Sequence, residues 1–265
     1  MSLLFDFKVA KAIEISRKFV EKYGKLYVMF SGGKDSLLCL DIVYRAVGRD
    51  GIKAVVFIEM VGNTDPIAVD FVYRTVRRYG LEDKLLHLKT PYDHLEIMKR
   101  RGFPSPWRKW CWGDKWKLVR GAVDPPYNWV VGIKASDSKY RASPKWNKYI
   151  VELPELGEYA LQPIIEFTRE DVWTYVKRYR LELNPCYEIY GCGGVCMFCP
   201  YRDASAIEKI MSNDYWCRKI VDVLLSIRSR SRFAVQILRR WLSRAKCLSD
   251  EVKTRILEDL KARGV

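Results

Sequence analysis

The chain has 265 residues, 49% of them hydrophobic and 30% charged, which suits one large domain or a domain with an appendage. No apolar run reaches the ~18 residues of a membrane span, and residues 1–23 form an amphipathic pattern unlike a signal peptide. We therefore expect a soluble, cytoplasmic protein. Its 47 Lys and Arg exceed its 32 Asp and Glu, and the charge of +15 favours polyanionic partners such as nucleotides, RNA or DNA.

Strand and helix patterns alternate through the first two thirds of the chain. Helices are predicted over 6–23, 35–48, 66–79, 93–101 and 168–180, and strands over 25–30, 52–58, 85–88 and 128–133, with a hairpin of 149–153 and 160–165. This alternation predicts an α/β, Rossmann-like parallel sheet with helices on both faces, which binds ligands beyond the carboxyl ends of its strands. Only helical patterns follow Tyr201, so we divide the chain into a domain of residues 1–200 and a basic, all-helical region of 201–265.

The sequence SGGKDS at residues 31–36 lies between the first of these strands and the next helix. Adjacent glycines let a ligand approach the backbone closely, and the N–H groups at a helix N-terminus attract a phosphate. The alternative is an ordinary connection in which Ser31 or Asp35 only caps the helix. The stretch lacks the Walker A spacing and resembles the PP-loop of the ATP-pyrophosphatase superfamily, which binds the phosphates of adenine nucleotides.

Two segments are strongly basic. Residues 99–120 hold eight Lys or Arg, one acid and four tryptophans, a pattern that fits either a single-stranded nucleic-acid surface or a buried cofactor with a solvated rim. Residues 227–249 hold seven Lys or Arg and no acid, which indicates a solvated face or contact with a nucleic-acid backbone. Both segments are candidate contacts for transfer RNA or another nucleic acid.

Cys192, Cys196 and Cys199 are spaced C-x3-C-x2-C among glycines, a pattern that permits a tight wrap around a metal. Three thiolates need a fourth ligand or leave an open site, and we expect Cys111 to close it. Four cysteines fit a 4Fe-4S cluster or a structural zinc ion. The spacing also matches radical S-adenosylmethionine enzymes, but too little chain follows Cys199 to build their barrel. In a chain expected to be cytosolic, we expect cysteines to serve metal or redox chemistry before structural disulfides.

Several stretches occur in an order that resembles the phosphoadenylylsulfate reductase family of the PP-loop superfamily. They are SGGKDS at 31–36, WRKWC at 107–111, GIKASDSKYRA at 132–142, the segment 163–173, and NPCY with the cysteine motif at 184–200. The resemblance implies a nucleotide on the 31–36 loop, with its adenine against the end of strand 52–58. In cluster-bearing relatives, cysteines hold a 4Fe-4S centre beside the anionic end of the substrate.

The same resemblance assigns roles to individual residues. Lys134 and Arg141 would be aimed at the anionic end of the substrate, although Lys134 stands where the family carries an arginine and gives up bidentate binding. The implied nucleotide-binding residues are Ser31, Gly32, Gly33, Lys34, Asp35, Ser36, Phe57, Gly132, Asp137 and Ser138, the implied catalytic residues are Lys34, Lys134 and Arg141, and the implied metal ligands are Cys111, Cys192, Cys196 and Cys199.

One departure from the family keeps two reactions open. The reductases carry a nucleophilic cysteine in a C-terminal tail, which this chain lacks, so Cys217 or Cys247 would have to replace it, with thioredoxin as a candidate partner. The alternative is an ATP-dependent sulfurtransferase that adenylates and thiolates transfer RNA or another acceptor, with Mg²⁺ near Asp35 and a separate sulfur donor. A non-catalytic nucleotide- or RNA-binding module is a third possibility. The order of the motifs favours the reductase-like reading.

Overall fold

The computed structural model describes residues 3–153, 158–227 and 231–262. The helices are α1 (Leu3–Tyr23), α2 (Lys34–Val47), α3 (Pro66–Arg78), α4 (His94–Arg101), α5 (Trp110–Arg120), α6 (Arg169–Arg178), α7 (Cys186–Tyr190), α8 (Ala204–Ser212), α9 (Asp214–Ser226), α10 (Arg232–Leu242) and α11 (Asp250–Ala262). The strands are β1 (Leu26–Met29), β2 (Ile52–Glu59), β3 (Leu85–Lys89), β4 (Tyr127–Val130), β5 (Ile150–Leu153) and β6 (Glu158–Leu161). None of the described helices combines the length and apolarity needed to cross a membrane.

Within the described residues, the six strands form one mixed sheet in the order β3-β2-β1-β4-β6-β5. β1 runs parallel to β2 and β4, β4 runs parallel to β6, and β5 pairs antiparallel with β6 as the predicted hairpin. β2 and β4 flank β1 on opposite sides, so the winding of the chain reverses between β1 and β4. Such a reversal opens a crevice at the carboxyl ends of the two strands. The Rossmann-like prediction is therefore confirmed, and both strands lead into loops that carry predicted site residues.

The first core is built around β1 and α2. Leu26 and Val28 of β1 are fully buried, and every residue from Ser36 to Val43 of α2 is buried as well. A strand or helix covered on all sides has no face to present to water, which explains the nearly unbroken apolar sequence of both elements. α1 packs along α2 and accounts for the apolar positions of the predicted leading helix.

The chain divides into two compact units. The first contains the residues up to Ile58, together with Ile67–Leu88 and Val119–Asn184. The second contains Glu59–Pro66, Lys89–Leu118 and the chain from Pro185 onward. These limits differ from the predicted division at residue 200, because the loop after β2, the basic tryptophan-rich segment and the cysteine motif pack with the C-terminal helices.

A disulfide in the second unit joins Cys217 of α9 to Cys247, which follows α10. The backbone N–H of Lys246 donates to the carbonyl of Met211 at 3.2 Å, and that of Cys247 donates to Cys217 Sγ at 3.2 Å, so the turn is fixed beside α9. The expectation of metal or redox chemistry before structural disulfides is wrong for this pair. Neither sulfur of this pair is a free thiol.

A buried carboxylate connects three helical segments of the first unit. Asp41 of α2 accepts hydrogen bonds from the hydroxyls of Tyr79 and Tyr175, both at 2.7 Å, and from Arg45 Nε at 2.6 Å. Burial, followed by the charge of Asp41, raises the pKa of both tyrosines, which therefore remain donors at neutral pH. These bonds offset the cost of removing the carboxylate from water.

Replacing Asp41 with Ala should lower the free energy of unfolding by about 3 kcal/mol, because two tyrosine hydroxyls and a guanidinium lose a buried partner. Urea unfolding followed by circular dichroism measures the change. The control is Asp50→Ala, which removes an exposed carboxylate and should change the stability by less than about 0.5 kcal/mol. Equal stabilities of the two variants would contradict the structural role of Asp41.

Candidate active site

The loop that follows β1 has the geometry expected of an anion site. Gly32 has φ +73°, and a Cβ there would lie 3.2 Å from Val72 Cγ2 and 3.3 Å from Asn184 Nδ2, so both the conformation and the space require glycine. Gly33 precedes α2 in an extended conformation and offers no side chain to cap the helix. The first turn of α2 therefore receives no capping hydrogen bond from a side chain at position 33. Its N–H groups face the edge of the sheet, where an anion can accept from them.

Two polar side chains brace this loop from within. Ser36 is buried, accepts from the N–H of Ser31 at 3.2 Å and donates to the carbonyl of Gly33 at 2.9 Å. Asn184 is 1% exposed and donates to the carbonyl of Gly32 at 3.2 Å. The sequence analysis predicted a ligand-binding role for Ser36 and gave Asn184 none; the asparagine before a proline was the only signal that could have identified it.

Charged side chains alternate in sign next to the loop. Lys34 Nζ lies 3.0 Å from Asp35 Oδ2, and Lys134 Nζ lies 2.9 Å from Asp35 Oδ1 and 3.0 Å from Asp137 Oδ1. The contact between Lys134 and Asp35 is an ion pair without hydrogen-bond alignment. Arg141 Nη1 extends the series, 2.5 Å from Asp137 Oδ2. Three cations against two carboxylates leave a net positive charge beside the anion site.

Lys134 is the most buried member of this series, with a side chain that is 6% exposed. Burial acts to raise the pKa of Asp137, but the hydrogen bond from Lys134 and the charges of Lys134 and Arg141 outweigh it and hold that pKa below its ordinary value. Asp137 therefore remains ionised at neutral pH. Its role in the described structure is to hold the two cations in place.

Gly132, which follows β4, brings the second loop against the first. A Cβ at Gly132 would lie 3.0 Å from the carbonyl carbon of Asp35 and 3.1 Å from the N atom of Ser36. Those atoms are backbone, so they cannot move aside as a flexible side chain would. This contact at the point where the winding reverses places Lys134 next to Asp35.

The remaining two predicted nucleotide-binding residues differ in their surroundings. Phe57 is fully buried, and its ring centroid lies 4.9 Å from that of His87, so in the described structure it is a core residue without an exposed face for adenine. Ser138 is exposed, and its hydroxyl accepts from the N–H of Arg141 at 3.2 Å. Ser138 therefore shapes the turn that carries Arg141.

In the second unit, a half-buried lysine lies among three of the predicted metal ligands. Lys115 Nζ is 3.5 Å from Cys196 Sγ, and the negative charge of Cys196, ahead of those of Cys111 and Cys199, raises the pKa of Lys115. Burial is the main cause that raises the pKa of the Cys111 and Cys199 thiols. Cys196 has φ +54°, a conformation rare for a residue with a Cβ. Cys111, Cys196 and Cys199 thus influence one another electrostatically.

The fourth predicted ligand has different neighbours. Cys192 is 4% exposed and interacts with Cys186, whose pKa is raised to about 12 by burial, by Asp65 and by Cys192. Among the described residues, no three His, Cys, Asp or Glu side chains are arranged as a group able to hold a metal ion. The chemistry of the donors still suits a cluster, because thiolates are the usual ligands of iron and sulfur.

The backbone of the cysteine loop is held by residues that the sequence analysis did not identify. Asn63 is fully buried, and its side chain both donates to the carbonyl of Phe198 at 2.9 Å and accepts from the N–H of Phe198 at 2.8 Å. Arg202 donates to the carbonyls of Val195 and Cys196 at 3.1 and 2.6 Å. The positions of the cysteines are therefore fixed through their own main chain.

A family model of the phosphoadenosine phosphosulfate reductase domain matches residues 25–195. The chain belongs to this family. The match starts one residue before β1 and includes both the 31–36 loop and the segment after β4. It confirms the resemblance drawn from the motifs.

Relatives of this reductase-domain chain include two curated proteins. An uncharacterized protein of Methanocaldococcus jannaschii is 30% identical over 209 residues, which cover 75% of this chain and 41% of that protein. An uncharacterized protein of Escherichia phage 186 is 32% identical over 143 residues, which cover 50% of this chain and 41% of that protein. The chain therefore spans about two fifths of the length of both relatives.

Among solved structures, the NH3-dependent NAD synthetase of Campylobacter jejuni has a TM-score of 0.51 and 11% identity, covering 92% of this chain and 96% of that one. At this identity the likeness shows the fold alone. It agrees with the Rossmann-like architecture of the reductase-domain family.

Replacing Gly132 with Ala should weaken binding of the predicted adenine nucleotide, with ATP or adenylylsulfate as the probe, about tenfold or more, because the added methyl group pushes the backbone of Asp35 and Ser36 out of place at a cost of about 1–3 kcal/mol. Isothermal titration calorimetry measures the affinity. Gly113→Ala is the matched control, since a Cβ at Gly113 meets nothing within 4 Å. An unchanged affinity in the Gly132 variant would contradict this role of the contact.

Proposed function

We propose that this protein is an adenine-nucleotide-dependent enzyme of sulfur metabolism, with a reaction of the phosphoadenylylsulfate or adenylylsulfate reductase type. The observation that supports it most strongly is the contact of Gly132 with the loop at 31–36. This contact brings the N-terminus of α2, which Gly33 does not cap, next to the buried cation Lys134. Both lie where the winding of the sheet reverses. A phosphate or sulfate group is the ligand that such a combination favours.

Each cation near the loop has a distinct proposed task. The N–H groups at the start of α2, with Lys34, would hold the phosphates of the nucleotide. Lys134 is fixed between Asp35 and Asp137, so it would stabilise negative charge without having to be reorganised during the reaction. Arg141, with a side chain that is 41% exposed, would contact the outer end of the substrate.

The thiols of the second unit are the proposed redox or sulfur-carrying part of the enzyme. Cys111, Cys196 and Cys199 would hold a 4Fe-4S cluster or, as the alternative, a zinc ion, with Cys192 as the fourth ligand from the same loop. When bound, a cluster of this kind supplies electron transfer or a site for sulfur. Lys115, 3.5 Å from Cys196 Sγ, would balance the negative charge of the thiolates.

A second candidate reaction is favoured by the disulfide between Cys217 and Cys247. The two cysteines that the sequence analysis offered as the reductase nucleophile are bonded to each other, which weakens the reductase reading. An ATP-dependent sulfurtransferase needs no such thiol: it would transfer AMP to an acceptor oxygen, release pyrophosphate, and then replace the activated oxygen with sulfur. Mg²⁺ would assist ATP cleavage, and Asp35, which both lysines contact, would have to release one of them to become a ligand.

The products distinguish the two reactions. With adenylylsulfate and thioredoxin, a reductase releases sulfite and AMP, whereas with ATP and bulk transfer RNA a sulfurtransferase releases pyrophosphate. Replacing Lys134 with Ala should lower kcat/KM of whichever reaction occurs about 100-fold. Lys18→Ala, on the exposed side of α1, is the control and should leave the rate unchanged. Turnover of neither substrate would contradict the proposed function.

A cluster would be visible in the anaerobically purified protein. We expect broad absorption near ~400 nm that is lost in Cys111→Ser, because a ligand has been removed. Cys39→Ser is the matched control: Cys39 is fully buried in α2 and belongs to the first core. Metal analysis accompanies the spectrum. A colourless protein that contains zinc would show that the site binds zinc, the alternative to the cluster. Absence of both metals would contradict the metal site.

A further inference from the structure

A basic surface with exposed indole rings lies on the segment 105–117 of the second unit. Trp107 is 86% exposed and Trp112 is 56% exposed. Arg108, Lys109 and Lys117 are exposed on the same short segment. We call these five residues the tryptophan surface. Large exposed rings next to cations are costly to leave in water, and they mark a place where a partner binds.

The local structure explains why these rings face outward. Ser105 and Arg108 exchange backbone hydrogen bonds of 3.2 and 3.1 Å, which places Trp107 at the tip of a turn. Trp110 takes the inward position instead: its ring centroid lies 5.3 Å from that of His94, and its Nε1 donates to the carbonyl of Gly102 at 3.2 Å. Trp110 therefore anchors the segment. Trp112 contacts Trp116 edge to face, with ring centroids 5.6 Å apart, and neither Trp107 nor Trp112 takes part in the anchor at His94 and Gly102.

The electrostatics of the segment favour an anionic partner. Asp114 is the one acid of residues 99–120. It accepts a hydrogen bond from the Tyr92 hydroxyl and forms an ion pair with Arg101, whose Nη1 lies 2.7 Å from Asp114 Oδ2, so its negative charge is already compensated. Lys115 is half-buried, and its Nζ lies 3.5 Å from Cys196 Sγ. Among the described residues, no carboxylate forms an ion pair with Arg108, Lys109 or Lys117, so the tryptophan surface keeps a net positive charge.

In the other basic segment, 227–249, several cations bind backbone carbonyls of the protein. Arg240 donates to the carbonyls of Pro200 and Arg202, and Arg244 donates to the carbonyl of Arg240 at 2.8 Å. These cations stabilise the turns around the end of the cysteine loop. Arg228 and Arg230 lie outside the described residues. Of the two predicted nucleic-acid segments, 99–120 and 227–249, the described structure therefore favours the first, which contains the tryptophan surface.

We propose that the tryptophan surface binds single-stranded nucleic acid. Trp107 and Trp112 would stack on unpaired bases, and Arg108, Lys109 and Lys117 would contact the phosphates between them. A duplex hides the faces of its bases, so it cannot use the rings in this way. This binding goes beyond the proposed nucleotide chemistry, because it needs neither ATP nor the 31–36 loop.

Fluorescence anisotropy with labelled 12-nucleotide RNA and DNA single strands, and with the matching duplexes, tests the proposal on the full chain. We expect the protein to bind single strands more tightly than duplexes. Replacing Trp107 and Trp112 together with Ala should weaken single-strand binding about tenfold or more. Tyr215→Ala, which removes a ring that is 57% exposed on α9, is the control and should leave the affinity unchanged. Comparison of the RNA and DNA affinities shows whether the surface prefers ribose or deoxyribose.

The charges are tested separately. Replacing Lys109 and Lys117 with Gln should make log Kd less dependent on log salt concentration, since fewer counterions are released on binding. The matched control, Arg17→Gln with Lys18→Gln on α1, removes the same charge at exposed positions and should leave the slope unchanged. If the salt dependence changed equally in both double variants, the effect would come from the net charge of the protein and not from this surface, which would overturn the proposal.

Two further results would overturn it. One is tighter binding of duplexes than of single strands; the other is a loss of binding to anionic phospholipid vesicles in the tryptophan variant without a loss of single-strand binding. Because neither ATP nor adenylylsulfate is present in these experiments, their failure leaves the proposed function standing. Failure of the sulfite and pyrophosphate assays likewise leaves this binding result standing.

Discussion

The proposed nucleotide site depends on the close approach of two backbone segments in the first unit. Gly132, after β4, lies against the main chain of Asp35 and Ser36, after β1, at a distance that leaves no room for a side chain. This contact brings Lys134 to 2.9 Å from Asp35. Without it, the helix N-terminus and the buried cation would be separate features, each a weak anion site.

The ion pairs follow from that backbone contact. A lysine as buried as Lys134 is costly unless carboxylates compensate it, and Asp35 and Asp137 supply two. The same carboxylates also keep Lys34 and Arg141 close by. The result is a preorganised positive region, which favours a substrate whose negative charge grows or shifts during the reaction.

In the second unit, the cysteine loop is held by polar contacts to its main chain. Asn63 satisfies both backbone groups of Phe198, and Arg202 satisfies the carbonyls of Val195 and Cys196. Buried backbone groups must find such partners, so these two residues fix the loop independently of what the thiols bind. The conformation of Cys196, with φ +54°, is the strained part of this arrangement and is overdetermined by its neighbours.

The sequence predicted the fold and the glycine turn between β1 and α2 because both depend on local patterns; the role of that turn in phosphate binding stays a prediction. Hydrophobic periodicity identified β1 and α2, and the adjacent glycines identified the turn between them. The roles of Asn63, Asn184 and Gly132 could not be predicted, because each depends on a residue far away in the chain that only the folded structure brings near. The disulfide was missed for the same reason, since Cys217 and Cys247 lie on separate elements. Nor does the sequence reveal that Trp110 points inward while Trp107 points outward, because that choice depends on His94 and Gly102.

The most direct test of the central claim is a crystal structure of the protein with bound adenylylsulfate or a non-hydrolysable ATP analogue. We predict that phosphate oxygens lie within hydrogen-bond distance of the N–H groups of residues 32–36 and of Lys34, with Gly132 still against Asp35. A nucleotide bound elsewhere, with the 31–36 loop unchanged and its N–H groups directed at solvent, would contradict the account.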